Sequence, residues 1–356
     1  MKKLLLPISL LYNLVLFIRH KLYDWHVLKS TRFDFPVICV GNLSLGGTGK
    51  TPHTEYLTKL LSSEYRLAIL SRGYGRKSKG FRLADENCTA ADLGDEPMQY
   101  FTKFNNVQVA VDEDRVEGVN KLLNRPTPPQ AIILDDAFQH RKIEAGLNIL
   151  LTDYQHLYCN DFLFPAGTLR DIRQAAYRAE IIVVSKSPKY LPDEDKKSII
   201  ERLNITETQR VYFSYLEYEP LLPLNEKAKE ITVNQSQRVL LFTGIANPKP
   251  LEKHLNSCFS EVKNITFGDH HSYTENDLKK IAARFEAMGG NGKIIVTTEK
   301  DAARLAKSAY LCHLESVPLF AAPIRVHFQE EEKFNKDIKD YVRQNSANGY
   351  VSAPND

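Results

Sequence analysis

Short apolar runs recur along the chain, separated by stretches with helical periodicity. Six of them, at 36–40, 67–70, 107–111, 131–134, 147–151 and 181–184, are rich in Val, Ile and Leu and lack polar alternation. A strand apolar on both faces is buried on both, which is the mark of a parallel sheet covered by helices. Amphipathic stretches such as 55–61 and 98–104 supply such helices. Around 211–233 the pattern becomes alternating and is broken by Pro220 and Pro223, as expected of a strand pair crossing to a second unit. Strand–helix alternation resumes at 239–243, 262–267 and 293–297 and closes with a helix near 334–344. The pattern predicts an α/β fold: a parallel-sheet domain over 31–215, a β-stranded linker over 216–235, and a smaller α/β domain over 236–345. Residues 346–356 read as a flexible tail. No internal repeat is visible.

The first thirty residues stand apart. Two lysines open an apolar stretch over 4–17, and Arg19, His20 and Lys21 close it. The stretch is short of the ~20 residues a spanning helix needs. No small-residue cleavage site follows it, because Tyr23 and Trp25 stand where a signal peptidase would cut. The segment 1–30 reads as a helix in the membrane interface, with its leucines, Phe17, Tyr23 and Trp25 among acyl chains and its basic residues at headgroups. A helix packed on its own domain is the competing reading at this point.

Composition narrows the partners. Forty-seven basic residues against 44 acidic ones leave a net charge of +3, which gives no electrostatic basis for binding nucleic acid. The five cysteines are scattered and never spaced as C-x-x-C, so they offer neither a disulfide framework nor a zinc site.

The strongest local motif is Ser44-Leu-Gly-Gly-Thr-Gly-Lys-Thr51, which follows a predicted strand and precedes a predicted helix. That context defines a phosphate loop. Backbone N–H groups of Ser44, Leu45, Gly46, Gly47, Thr48 and Gly49 would hold the phosphates of ATP, Lys50 would reach the β/γ oxygens, and Thr51 would ligate Mg²⁺. The strict pattern fails only at Ser44, where it has glycine. Asp135 and Asp136 end a run of Ile-Ile-Leu, the profile of the acidic strand end that helps to hold the metal in phosphate-loop enzymes.

A phosphoryl transfer also needs a group for the acceptor hydroxyl and positive charge near the phosphate. Asp95 and Glu96 lie in a loop before a helix, where Asp95 could equally be a helix cap. Asp269-His270-His271 follows a strand of the second domain, and a carboxylate and an imidazole from the two domains could meet across a cleft. Arg72, Arg76, Arg115, Arg141 and Arg170, all at strand ends or in loops, are candidate phosphate or substrate contacts.

Taken together, these motifs resemble the tetraacyldisaccharide 4′-kinases of lipid A synthesis. The likeness runs over almost the whole chain: Val40 to Pro52, Ser71-Arg-Gly-Tyr-Gly-Arg76, Gly94-Asp-Glu-Pro97, Asp112 to Gly118, Leu134 to Arg141 and Pro165-Ala-Gly-Thr-Leu-Arg170. The second domain adds Thr243 to Pro248, Phe267-Gly-Asp-His270 and Thr298-Glu-Lys-Asp301. The resemblance implies two α/β domains, the first of the phosphate-loop NTPase type, with ATP and the lipid A disaccharide 1-phosphate meeting between them. It implies that Asp95, supported by His270, acts on the 4′-hydroxyl. Lys50 and Thr51 would serve phosphates and Mg²⁺, Asp135 and Asp136 would complete the metal site with Glu96 nearby, and Arg72 and Arg170 would contact phosphate or substrate. A lipid acceptor accounts for an interfacial helix, and ATP for the cytoplasmic face of a Gram-negative inner membrane. A monomer is expected.

Two positions depart from the family pattern. Ala137 stands where glycine is common after the paired aspartates, and Asp171 replaces a glutamate after Thr168-Leu-Arg170. A shorter Asp171 would meet a metal only through water. Two other readings stand beside the lipid kinase: a phosphate-loop kinase of a soluble sugar or nucleotide, and a nucleotide-dependent switch. No guanine-specifying Asn-Lys-x-Asp is present to favour the switch.

Overall fold

The computed structural model describes residues 5–306 and 308–346. The predicted tail over 346–356 lies outside the described residues except at Ser346, as do the first four residues. A nine-stranded sheet carries the larger domain, in the spatial order Ile324–Phe328, Arg210–Tyr218, Ile181–Ser185, Leu147–Asp153, Val37–Asn42, Ala131–Asp135, Leu67–Ser71, Gln108–Val111, Arg82–Leu83. Neighbours pair in parallel except at the two edges, where Ile324–Phe328 and Arg82–Leu83 run antiparallel.

The apolar runs divide their side chains between the sheet's two faces. Val37 and Cys39 join Ala68, Leu70, Ile132 and Leu134 on one face, while Ile38 and Val40 join Leu67, Ile69 and Ile133 on the other. Both sets are almost fully buried, as the unalternating sequence requires. The smaller domain repeats the plan with five strands: Leu222–Pro223, Leu319–Ala322, Lys293–Thr298, Arg238–Thr243 and Glu261–Thr266, in that order, parallel except for Leu222–Pro223.

The chain's return differs from the expected boundary at 345. Ile324–Phe328 leaves the smaller domain after Pro323 and pairs with Arg210–Tyr218 of the large sheet. The crossing between domains is therefore made by a strand from each end of the smaller domain, Arg210–Tyr218 and Ile324–Phe328, and not by a linker confined to 216–235. The last helix, Glu331–Ser346, also belongs to the larger domain. Its Phe334, Ile338 and Val342 recur at i, i+4 and i+8 and are buried in the large sheet's core. Phe334 stacks on Phe328 at 3.9 Å between ring centroids, and the Tyr341 hydroxyl bonds the backbone of Val37. Each such burial contributes roughly 1.5–3 kcal/mol. Helical periodicity marks which face is apolar but not which sheet receives it.

At the other end, the helix Leu6–Asp24 docks through one face. The Ser9 hydroxyl donates to the Leu163 carbonyl and accepts from Ala166 N–H, the Tyr12 hydroxyl reaches the Arg170 carbonyl, and Arg19 donates to the Gln139 carbonyl. Tyr23 is buried and sits under the Arg141 guanidinium. It thus faces the protein and not acyl chains, and Arg19 is likewise turned inward. The opposite face leaves Ile8, Leu10, Leu11, Leu14, Val15 and Ile18 at least half exposed. No helix among the described residues is long and apolar enough to cross a membrane.

Candidate active site

The loop between the strand Val37–Asn42 and the helix Lys50–Leu61 is held in shape from several sides. Leu45 N–H donates to the Thr168 carbonyl and Arg170 N–H to the Leu43 carbonyl, so residues 43–45 are laced to 168–170. The Asn42 amide nitrogen reaches Thr48 Oγ1 at 2.9 Å and the Gly46 carbonyl at 3.2 Å. Ser185 Oγ donates to the Thr48 carbonyl, and Lys186 caps the Gly47 carbonyl. Gly49 enters the helix at φ 87°, a left-handed conformation that glycine adopts without strain. Beneath the loop His53 is buried between the Gly49 carbonyl at 2.7 Å and Ser214 Oγ at 2.8 Å, and burial lowers its pKa to about 4, so it stays neutral.

The charged groups converge on Asn42 and the aspartate pair. Lys50 Nζ lies 3.2 Å from Asn42 Oδ1 and 3.6 Å from Asp136 Oδ1. Burial lowers the Lys50 pKa, and Asp136 works in the other direction. Arg170 donates to Asn42 Oδ1 at 2.6 Å and forks onto both oxygens of Asp136. Asp136 sits at φ 51°, a region that aspartate tolerates better than most residues. Burial opposes its charge, but Lys50 and Arg170 hold its carboxyl below the usual value. Asp135 is deeper, 4% exposed. Burial first, and then the Asp136 charge, push its carboxyl up to about 6.

Those two carboxylates and the Thr51 hydroxyl are oxygen donors of the kind that a hard divalent cation takes. Among the described residues no three acidic, His or Cys side chains form a closed ligand cluster. The crowding that raises Asp135 is also the strain that a cation would relieve.

The opposite wall is assembled from both domains. The helix Asp95–Lys103 packs against Glu299–Leu305 of the smaller domain. Asp95 Oδ2 accepts from His270 Nδ1 at 2.8 Å and from Arg304 Nε at 2.8 Å. The predicted meeting of a carboxylate and an imidazole from different domains therefore exists. Burial opposes the Asp95 charge, but Arg304 and His270 outweigh it and hold the carboxyl low. Arg304 is itself fixed by Asp301 and the Gly244 carbonyl. Asp95 follows Gly94, where φ is 95° and an added Cβ would come within 2.9 Å of the Tyr74 carbonyl oxygen, so the position has no room for a side chain. Next along, Glu96 pairs with Lys300 at 2.7 Å, while at the far end of the same helix, away from Asp95, Lys103 bridges Glu55 and Glu299.

The five candidate arginines separate. Arg170 is at the phosphate loop, and Arg72 is exposed at the end of Leu67–Ser71, facing no partner within the described residues. Arg115 is buried behind the aspartates, donating to the Asp112 and Glu113 carbonyls while its charge helps to lower Asp136. Arg76 is buried against Glu113 and the Gly80 carbonyl, where it braces a loop. Arg141 pairs with Asp24 and the His20 carbonyl of the first helix. The last two brace a loop and the first helix, and among the described residues neither contacts Lys50 or the aspartate pair. Asp171 also has a role other than the expected metal contact through water. It is fully buried, bonded to His20 Nε2 at 2.6 Å, and so pins the N-terminal helix to the segment that laces the phosphate loop.

A glycine-rich loop between strand and helix, an acidic pair on the neighbouring strand and a carboxylate poised across the cleft define a phosphate-loop phosphotransferase. The chain belongs to the tetraacyldisaccharide-1-P 4′-kinase family, whose model matches residues 1–343. It is 44% identical to the tetraacyldisaccharide 4′-kinase of Bacteroides thetaiotaomicron, over 98% of this chain and 96% of that one. It is 45% identical to the protein of that name from Flavobacterium johnsoniae, over 97% and 98%. The crystal structure of the "apo" form of LpxK from Aquifex aeolicus in complex with ATP superposes with a TM-score of 0.72 at 31% identity, covering 96% of this chain and 99% of that one.

Proposed function

We propose that this chain transfers the γ-phosphate of ATP to the 4′-hydroxyl of the tetraacyldisaccharide 1-phosphate precursor of lipid A, working as a monomer on the cytoplasmic face of a Gram-negative inner membrane. The observation that carries the chemistry is the 2.8 Å contact that joins Asp95 to His270 of the other domain, beside Glu96, whose charge acts on Asp135 of the aspartate pair. The loop's N–H groups and Lys50 hold the phosphates, and a hydroxyl between Asp95 and the γ-phosphate is placed for in-line attack. The O4′–P bond forms as the bond from the γ-phosphorus to the bridging oxygen breaks. ADP leaves, and the hydroxyl proton passes to Asp95, with His270 fixing that carboxylate's orientation. Being held low, Asp95 is ionised at neutral pH and ready to accept it. Thr51, Asp135, Asp136 and Glu96 are the residues that would hold Mg²⁺, which when bound supplies positive charge to the phosphate oxygens. Both walls come from one chain, so no second copy is needed.

The membrane side of the proposal rests on the first helix. Ser9, Tyr12, Arg19, His20 and Tyr23 are spent on docking, and its exposed face is mostly apolar, with Leu10 and Leu11 each more than 60% exposed and Phe17 exposed beside them. Phe162 and Phe164 are exposed beside it, on the loop whose Leu163 carbonyl binds Ser9. Together they form a patch suited to the acyl boundary. The test is transfer of γ-labelled phosphate from ATP into detergent-dispersed disaccharide 1-phosphate. Label in the lipid that is absent with Lys50→Ala supports the reaction, and ATP binding without lipid label overturns it. Flotation with anionic liposomes tests the membrane arm. Leu11→Glu with Leu14→Glu should leave most of the protein unfloated, and unchanged flotation removes the helix from the account.

A further inference from the structure

The motif Thr298-Glu-Lys-Asp301 opens a helix of the smaller domain, Glu299–Leu305, and its parts are used in different ways. Asp301 is fully buried and accepts from Thr298 Oγ1, Gly244 N–H and Arg304, which fixes the helix start on its own domain. Glu299 and Lys300 instead leave the domain and reach the helix Asp95–Lys103 on the other side of the cleft. Lys300 and Arg304 are four residues apart, so they lie on one face of the helix. Arg304 takes Asp95, and Lys300 takes the neighbouring Glu96.

Lys300 is placed differently from an ordinary surface lysine. Its side chain is one-third exposed, and its partner Glu96 is one of the charges that raise Asp135 at the floor of the phosphate site. Lys300 in turn is among the charges that lower the pKa of Lys50. Lys300, held on a flexible stem by its 2.7 Å contact with Glu96 across the domain boundary, is thus electrostatically coupled to the phosphate-loop lysine of the other domain. A phosphoryl group in transfer spreads negative charge over three oxygens, and Lys50 reaches only one side of it. An ammonium on four methylenes can leave one carboxylate for a phosphate oxygen a few ångströms away.

We propose that Lys300 is a second phosphate-binding lysine, delivered by the smaller domain: with ATP bound it moves from Glu96 to a non-bridging oxygen of the terminal phosphate and stabilises charge there during transfer. The proposal rests on ATP occupying the loop at 44–51. It makes the smaller domain a sensor of the third phosphate, because ADP offers Lys300 no such oxygen.

The test compares Lys300→Met, Lys300→Arg and Lys103→Met in the full chain. Lys103 bridges Glu299 across the boundary and Glu55 within its own domain, so its variant reports what loss of neighbouring ion pairs, one of them interdomain, does by itself. The readouts are turnover and the affinities for ATP and ADP, with thermal unfolding to establish folding. Removing a cation from the transferring group is expected to slow turnover about 100-fold or more. ATP affinity should fall about tenfold while ADP affinity is unchanged, so the preference for ATP is lost. Lys300→Arg should recover part of both, and Lys103→Met should stay within about threefold of the parent in turnover. Equal, modest losses in both methionine variants with the ATP preference intact would make Lys300 a strut and overturn the proposal. Parent-like turnover in Lys300→Met also overturns it. Undiminished ATP binding by Lys50→Ala would be a different failure, removing ATP from the loop and this proposal with it.

Discussion

The two walls of the cleft are built by different physics. The phosphate-loop wall is fastened by backbone hydrogen bonds to residues 168–170 and by buried side chains, Asn42 and His53 among them. The opposite wall meets it through part-buried ion pairs between side chains of the two domains: Asp95 with His270 and Arg304, and Glu96 with Lys300. Backbone and buried contacts are costly to rearrange, whereas partly solvated ion pairs are each worth little net and can be exchanged for other partners. The first wall is therefore a fixed cradle. The second is a set of charges that a nucleotide and an acceptor can redirect without unfolding anything.

The largest expected effect separates binding from chemistry along that division. Lys50→Ala should lose both nucleotide affinity and about 10³-fold or more in turnover, since the lysine serves ground and transition states alike. Asp95→Ala should lose turnover on a similar scale while retaining ATP binding. Titration of each variant with ATP, beside single-turnover assays, reads the contrast. Asp95→Ala with near-parent turnover would reduce that residue to a helix-terminal cap. A smaller loss, about 10- to 100-fold in turnover, is expected for His270→Ala, because Arg304 still orients the Asp95 carboxylate. A loss equal to that of Asp95→Ala would mean that the imidazole takes part in the proton transfer directly and does not only position its partner.

The same division governs how much could be read from sequence. The cradle is contiguous: eight residues between a strand and a helix carry their own context, and the aspartates announce themselves by ending an apolar run. Asp95 and His270 are 175 positions apart, and nothing local forces them together. Lys300 and Arg304 carry only a four-residue spacing, which is ordinary on any solvated helix. Neighbours in space also misled the reading of Asp171 and Tyr23. Each is of a type that serves at a metal or a membrane, but each is buried against the other side of the first helix's docking contacts. The C-terminal helix is a further case, because the apolar spacing of Phe334, Ile338 and Val342 suits either sheet equally well. Only the pairing of Ile324–Phe328 with Arg210–Tyr218 decides it.

The smallest effect tests whether the fixed wall bears a standing electrostatic cost. Asp135 has its carboxyl raised from the ordinary 3.8 to about 6, through burial and the neighbouring Asp136. A folded-state value above the unfolded one means that the folded chain binds this proton more tightly. The penalty is absent below the ordinary value, grows as pH rises between the two values, and is complete above about 6. Asp135→Asn removes the charge and should raise stability above pH 6, without nucleotide or metal, by at most about 3 kcal/mol. The gain should shrink towards zero near pH 4. Unfolding midpoints of parent and variant across pH 4–8 measure it, and a pH-independent difference would mean that burial of this carboxylate is not what the variant relieves. In the presence of nucleotide and a divalent cation the order should reverse, because the parent alone gains a ligand for its crowded charge. The carboxylate that costs most in the empty site is then the one whose charge a bound cation relieves, in addition to what the loop N–H groups and Lys50 give the phosphates.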